Sequence, residues 1–390
     1  MIRRHCEVLL KQLTAEYPVV AITGPRQSGK TTLAKYLFAD RDYVSLENPD
    51  TQTLAEDDPR GFLARYRDGA VFDEAQRTPE LFSYLQQVVD ASRIPGRFIL
   101  TGSQQFGLMS GITQSLAGRV AMVHLLPFAL GERYTLQPQK APIGLDQVLF
   151  SGLYPPIHDR QLQPSRWYAN YLETYVERDV RQMVNIRDLT AFRRFLRLCA
   201  GRVGQLVNLS AVASDCGITH NTAKAWLSIL ETSYIIFLLP PHHRNFNKRI
   251  IKTPKLYFYD SGLCARLLGI QTPEQLRTHA LRGPLFESFV IAELLKHRFN
   301  SGSLNDFFFW RDRTGNEVDV LIEQSDGLQP LEVKSGQTLN RDFFKGLQKW
   351  STLAGTDSIR PTLVYGGDQR TETLGIAVFP WYAPPSEILP

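Results

Sequence analysis

The stretch "YPVVAITGPRQSGKTTLAKYLF", beginning at Tyr17, constrains this chain more than any other. It reads as a strand, a glycine loop and a helix, with Gly24, four residues, and then Gly29-Lys30-Thr31 in the P-loop spacing. The physical reason for that spacing is direct. Glycines let backbone N–H groups curl inward around a β-phosphate, and the helix that follows points its positive end at the same oxygens. Lys30 is placed to neutralise the β- and γ-oxygens, and the Thr31 hydroxyl to ligate Mg²⁺. The candidate nucleotide-binding residues are therefore Gly24, Pro25, Arg26, Gln27, Ser28, Gly29, Lys30, Thr31 and Thr32, with Arg26 also a candidate for phosphate contact. The expected fold is α/β, opening on a P-loop NTPase (AAA+-like) parallel sheet.

A P-loop needs a second carboxylate on the metal side, and "GAVFDEAQ" supplies one at the end of a short strand. Asp73 would hold Mg²⁺ through water, and Glu74 would polarise the attacking water. "YVSLEN" supplies a further strand between the two motifs, so the phosphate strand and the Asp73 strand are expected not to be neighbours, as in the hydrolytic branch of P-loop proteins. "GRFILTGS" reads as a fourth strand with Ser103-Gln104 at its polar tip. Ser103 either senses the γ-phosphate or caps the next helix. Arg119, in "SLAGRVAMVHLLPF", either reaches a phosphate, in its own subunit or a neighbour's, or sits at a turn. A homo-oligomer is left open by that choice.

Length and composition bound the rest. A chain of 390 residues is long for one domain, and 43% hydrophobic with 21% charged residues excludes a disordered one. No apolar run approaches the roughly 18 residues of a membrane span, and the first residues lack a signal-peptide core. Cys6, Cys199, Cys216 and Cys264 are scattered, so neither a disulfide framework nor a zinc knuckle is indicated and a reducing cytoplasm is expected. Net charge is +5, a mild excess, but "PHHRNFNKRIIKTPK" (241–255) concentrates five Lys or Arg with no acid. Such a run is ordinarily a solvated face; a local cluster can also track phosphates. Boundaries are expected near 136–142 and 271–284, giving an ATPase domain over 1–140, a helical connector and winged helix over 141–275, and a final α/β domain over 276–390.

In the middle, "RWYANYLETYVERDVRQM" reads as an amphipathic connector helix. "NLSAVASDCGITHNTAKAWLSILETSYIIFLL" has the grammar of a helix-turn-helix. A short helix starts after Ser210, Gly217 makes the turn, Thr219 caps, and a longer helix follows. Ala223, Trp226, Leu227 and Leu230 recur at helical spacing and should pack inward. His220, Asn221 and Lys224 should face out where a recognition helix meets bases. The basic run after it resembles the wing of a winged helix, a fold that also mediates protein contacts.

The last third carries a second constellation. Glu287 lies on "GPLFESFVIAELLKHRF", a helix apolar almost all round. Asp319 and Glu332 lie on two alternating strands in "RTGNEVDVLIEQSDGLQPLEVKSG", with Lys334 two residues on, which puts it on the face of Glu332. Helix acid, strand Asp, then strand Glu-x-Lys is the order of the restriction-endonuclease-like nuclease core. Asp319 and Glu332 would bracket Mg²⁺ or Mn²⁺, with the Val333 carbonyl completing the oxygen shell, and Lys334 would orient water or offset phosphorane charge.

Taken together, "GPRQSGKTTL", "VFDEAQ", "FILTGSQ", "SLAGR", "YVERDV", "KTPKLYFYDSGL", "FESFVIAEL", "GNEVDVLI" and "LEVKSG" resemble a family of bacterial and archaeal AAA+-type ATP-binding proteins that carry a C-terminal domain of unknown function. The resemblance runs from about Tyr17 to about Gly355. It implies ATP binding and hydrolysis, a winged-helix middle and a nuclease-like end. The expected protein is an ATPase whose cycle with Mg²⁺ controls a nucleic-acid-binding half, DNA ahead of RNA, that also has the residues for cleavage. The alternatives are a nucleotide switch or scaffold that binds without cutting, and a nuclease that uses ATP only to assemble.

Overall fold

Five short apolar segments form one parallel sheet: β1 (Val19–Thr23), β2 (Asp42–Ser45), β3 (Ala70–Asp73), β4 (Phe98–Gly102) and β5 (Val120–His124), in the order β2-β3-β4-β1-β5. The computed structural model describes residues 2–103, 115–135, 143–176, 188–242, 253–303, 306–312 and 314–389. Gln104, the 136–142 boundary, most of "YVERDV" and the basic tip with Lys248, Arg249 and Lys252 lie outside the described residues.

β1 and β4 are buried along their whole length, because both sheet faces are covered. Alternation divides their side chains between two cores. Val19 and Ala21 join Phe72, Leu85, Phe98 and Leu100 on one side. Val20 and Ile22 join Leu10, Leu33, Val71 and Ile99 on the other, where helices α1 (Glu7–Glu16) and α2 (Lys30–Leu37) contribute Leu10 and Leu33. The phosphate strand and the Asp73 strand are separated, as expected, but by β4; the "YVSLEN" strand, β2, pairs only with β3 at the sheet edge. Chain order and sheet order differ here because each parallel pairing is made through a crossover.

Two units account for the chain: Met1–Leu136 with Thr232–Tyr234 and Arg298–Leu304, and Gln137–Glu231 with Ile235–His297 and Asn305–Pro390. In the second, α3 (Leu189–Ala200) precedes α4 (Leu209–Cys216) and α5 (His220–Thr232). α4 starts slightly earlier than its sequence suggests, because the Asn208 side chain accepts the Ala211 N–H at 3.0 Å and caps it. Gly217 ends it at φ 71°, and the Thr219 hydroxyl accepts the Thr222 N–H at 3.1 Å. Ala223, Trp226, Leu227 and Leu230 are buried, while His220, Asn221 and Lys224 are exposed. β6 (Ile236–Leu239) and β7 (Lys255–Phe258) then pair antiparallel.

Helix α6 (Arg282–Ser301) buries residues around its full circumference from Leu285 to Lys296. A six-stranded sheet follows in the order β12-β13-β11-β10-β9-β8. β8 (Phe307–Arg311), β9 (Glu317–Gln324) and β10 (Gly327–Lys334) are an antiparallel meander. α7 (Lys345–Ala354) leads from β10 to its parallel neighbour β11 (Thr362–Tyr365), and β12 (Thr371–Thr373) and β13 (Ile376–Pro380) complete the edge.

Candidate nucleotide site and a second carboxylate cluster

The loop from 24 to 29 turns where β1 ends, and its glycines are dictated by backbone geometry. Gly24 sits at φ 150°, and a Cβ there would fall 2.1 Å from the Leu125 carbonyl oxygen. Gly29 caps α2 at φ 97°. Between them Gln27 holds φ 56°, unusual for a residue with a side chain. Pro25 and Ser28 are buried, Arg26 is half-buried, and Thr32 is exposed on the first turn of α2. Lys30 is buried, and its ammonium donates to the Gly24 and Pro25 carbonyls at 2.9 Å each, which fixes the charge at the loop.

Thr31 and Asp73 meet across two elements far apart in sequence. The Thr31 hydroxyl lies 3.1 Å from both Asp73 carboxylate oxygens. Tyr43 donates to the same carboxylate at 2.5 Å, and Thr101 donates to its other oxygen. Three hydroxyls thus orient one buried acid. Tyr43 and Thr101 escaped the sequence reading, since a tyrosine on β2 and a threonine on β4 carry no motif. Burial, and then the Asp73 carboxylate, raise the Tyr43 phenol well above its ordinary value, so it remains a donor. A hydroxyl touching a carboxylate is an all-oxygen donor pair of the kind Mg²⁺ takes, so these residues fit that ion.

Glu74 follows in the left-handed region, φ 56° and ψ 44°. Its carboxylate accepts from Ser103 at 3.0 Å and from Gln76, and its N–H points at the Thr101 hydroxyl at 3.4 Å. Ser103 is therefore tied to Glu74; its alternative as a helix cap concerns residues 104–114, which lie outside the described residues. Arg119 sits at a turn, its N–H donating to the Leu116 carbonyl at 2.9 Å. It precedes β5, whose Val120 pairs with Val19, so it stands at the edge of the sheet opposite the loop. There it forms a bidentate pair with Asp90, at 2.6 and 2.9 Å, on the surface.

The C-terminal residues also come together. Asp319 and Glu332 face each other across β9 and β10: the Asp319 carboxylate accepts the Val333 N–H at 2.9 Å, and Glu332 takes the Asp319 N–H at 3.4 Å. Lys334 bridges the pair, 2.8 Å from Glu332 and 3.4 Å from Asp319. Glu287 reaches the same region from α6, where it accepts from Lys255 at 3.2 Å and from Tyr257. Lys255 also pairs with Glu317. Lys255, Tyr257 and Glu317 were not singled out in the sequence; the strand position of "KLYF", with Lys255 and Tyr257 on one face, is the signal that links them.

Charge in this cluster is crowded. Burial, and then the Asp319 charge, push Glu332 up to about 8 and Glu287 up to about 7. Burial alone would lower Lys334 and Lys255; the surrounding carboxylates outweigh it and hold both above the usual lysine value. Among the described residues no group of three or more His, Cys, Asp or Glu is arranged to hold a metal ion. Asp319 and Glu332 direct oxygens at the Lys334 ammonium and at main-chain N–H groups, so the bracketing pair is already bridged by a cation of the chain's own.

Residues 16–134 match an AAA domain, 143–274 a domain of unknown function (DUF8612) and 282–383 a second domain of unknown function (DUF4143). Two uncharacterized proteins, of Mycobacterium tuberculosis and Mycobacterium bovis, are each 31% identical to this chain over 372 residues, spanning 94% of it and 81% of the relative. The chain belongs to their family. This family member is an AAA-type P-loop ATPase with a C-terminal domain of unknown function. Among solved structures, the Walker-type ATPase of Pyrococcus abyssi is 15% identical, with a TM-score of 0.48, and the match covers 68% of this chain and 95% of that one. AMPPCP-bound DnaA from Aquifex aeolicus is 14% identical with a TM-score of 0.31, covering 58% and 85%. In this family member the nucleotide-site residues lie inside the AAA domain. The carboxylate cluster draws Lys255 and Tyr257 from the first domain of unknown function and Glu287, Asp319, Glu332 and Lys334 from the second. Among the described residues, no helix is long and apolar enough to cross a membrane.

Proposed function

We propose that this chain binds ATP with Mg²⁺ at residues 24–32, hydrolyses it, and uses the cycle to drive a nucleic-acid-binding C-terminal half, DNA ahead of RNA. The contact of the Thr31 hydroxyl with the Asp73 carboxylate, beside Glu74 and its Ser103 partner, carries this reading. Loop amides and the Lys30 ammonium bind the β- and γ-phosphates. Thr31 and Asp73 are the residues to hold magnesium, which when bound neutralises phosphate charge. Glu74 orients the attacking water and takes up its proton, and Ser103 holds Glu74 in place. Lys30→Ala should abolish ATP turnover; wild-type rates in that variant would overturn the assignment.

Support for nucleic-acid contact is the exposed start of α5, with His220, Asn221 and Lys224, and the basic run that follows β6. The proposed organisation is an ATPase over 1–140, a connector and winged helix over 141–275, and a restriction-endonuclease-like domain over 276–390, supported by the order of Glu287, Asp319, Glu332 and Lys334 on a helix and a strand meander. Binding without cutting is the reading the cluster favours, because Lys334 occupies both carboxylates of the expected metal pair. Incubating plasmid, single-stranded DNA and RNA with the protein, Mg²⁺ or Mn²⁺ and ATP tests this. Nicking that disappears in Asp319→Ala would restore the nuclease.

A further inference from the structure

The phosphate loop is braced from behind by an ion pair that lies outside its motif. Arg4 is 6% exposed and Glu132 fully buried, although the two are 128 residues apart. The Arg4 guanidinium makes three directed contacts. It donates to the Ser28 carbonyl at 2.8 Å, to the Leu126 carbonyl at 2.7 Å, and to the Glu132 carboxylate at 3.1 Å, and its carbon lies 4.9 Å from the centre of the Phe128 ring. Glu132 is fixed in turn by the N–H groups of His5 and Ala129, at 2.6 and 2.8 Å. A Cβ built on Gly29 would lie 3.7 Å from the Arg4 Nη1 atom, so the guanidinium stands directly behind the residue that precedes Lys30. Arg4 also precedes the 16–134 segment matched by the AAA domain.

We infer that Arg4, oriented by Glu132, is a positioning residue for nucleotide binding: it holds the Ser28 carbonyl away from the phosphates, so that the loop amides face them. The inference rests on the nucleotide-binding reading above. Two observations carry it. Among the described residues the Ser28 hydroxyl is buried without a hydrogen-bond partner, so this side chain does not fix its own peptide. A planar guanidinium also spreads five N–H donors over a fixed fork, so it reaches two carbonyls and a carboxylate that stand on different sides of it, whereas the three donors of a lysine radiate from a single nitrogen. Turned loose, the Ser28 peptide plane can rotate, and an outward carbonyl near a phosphate repels what an amide would attract. The pair is also oriented, with its positive member toward the loop and its negative member behind.

The test compares full-length wild type, Arg4→Ala, Arg4→Lys, Glu132→Gln and a control, Leu85→Ala, which removes a buried side chain of the opposite core of the same sheet. Calorimetry gives Kd for a magnesium-loaded, non-hydrolysable ATP analogue, thermal melting gives stability without nucleotide, and steady-state assays separate KM from kcat. Expected is a tenfold or greater rise in Kd and KM for Arg4→Ala, a smaller rise for Arg4→Lys and Glu132→Gln, and kcat within about threefold throughout. Leu85→Ala should melt earlier yet keep Kd within about twofold. An Arg4→Ala Kd within twofold of wild type, or an equal loss in Leu85→Ala, overturns the inference. Should Arg4→Ala not fold, Arg4→Lys with a wild-type Kd does the same. A wild type that binds no nucleotide sinks the nucleotide reading instead, and so the two failures are distinct.

Discussion

Replacing Glu332 by Gln should stabilise the protein increasingly as pH rises. The carboxyl is held at about 8 against an ordinary value of 4.5, because burial and the Asp319 charge both oppose its ionisation. Below its ordinary value the group is protonated whether or not the chain is folded, and it contributes no penalty. As pH climbs from there, the unfolded chain sheds the proton while the folded chain keeps it, so wild-type stability falls until pH passes the folded value. The slope is about 1.36 kcal/mol for each pH unit in that window. From about pH 5 to about pH 7, wild type should therefore lose roughly 3 kcal/mol relative to Glu332→Gln. Gln retains the size of the side chain and an oxygen to accept from Lys334, so the pH-dependent part of the difference reports the charge. Urea unfolding of both proteins across this range, in a buffer with a metal chelator, gives the difference directly. A difference that is flat with pH, or that moves in favour of wild type, would refute the reasoning and return Glu332 to the role of an ionised ligand.

Other outcomes follow from the same geometry. Glu74→Gln should lower kcat for ATP by about a hundredfold or more while leaving nucleotide affinity nearly unchanged, since it removes a proton acceptor and no phosphate contact; a loss confined to KM in steady-state assays would contradict that role. Lys224→Glu, at the exposed start of α5, should weaken DNA binding and reduce its logarithmic salt slope by about one or more, as measured by fluorescence anisotropy across salt concentrations. An unchanged slope would place the contact elsewhere.

The loop from Gly24 to Thr31 was legible because its chemistry is contiguous: the residues proposed to meet a phosphate are neighbours in the chain. Asp73 and Glu74 were legible because they end an apolar strand at a place the P-loop requires. The cap at Thr219 and the buried stripe of Trp226 and Leu230 followed from helical spacing. Arg119 was left between a phosphate and a turn because its place before β5 does not say which strand β5 joins; pairing with β1 in parallel puts it at the end of the sheet opposite the loop. Tyr43 and Thr101 were invisible for a related reason, since each is a common strand residue until β2 and β4 line up with Asp73.

Local chemistry, then, was written in the linear order of residues: a phosphate loop, a strand ending in acids, a helix with an apolar stripe, and two strands bearing Asp319, Glu332 and Lys334. Only the tertiary structure decided what those groups face. It set β4 between β1 and β3, laid Lys334 across the two carboxylates, buried Lys255 between Glu287 and Glu317, and put Arg4 behind the loop with Glu132. Side-chain type and spacing are local properties of the chain. Charge pairing depends on separations of a few ångströms between elements that only packing brings together.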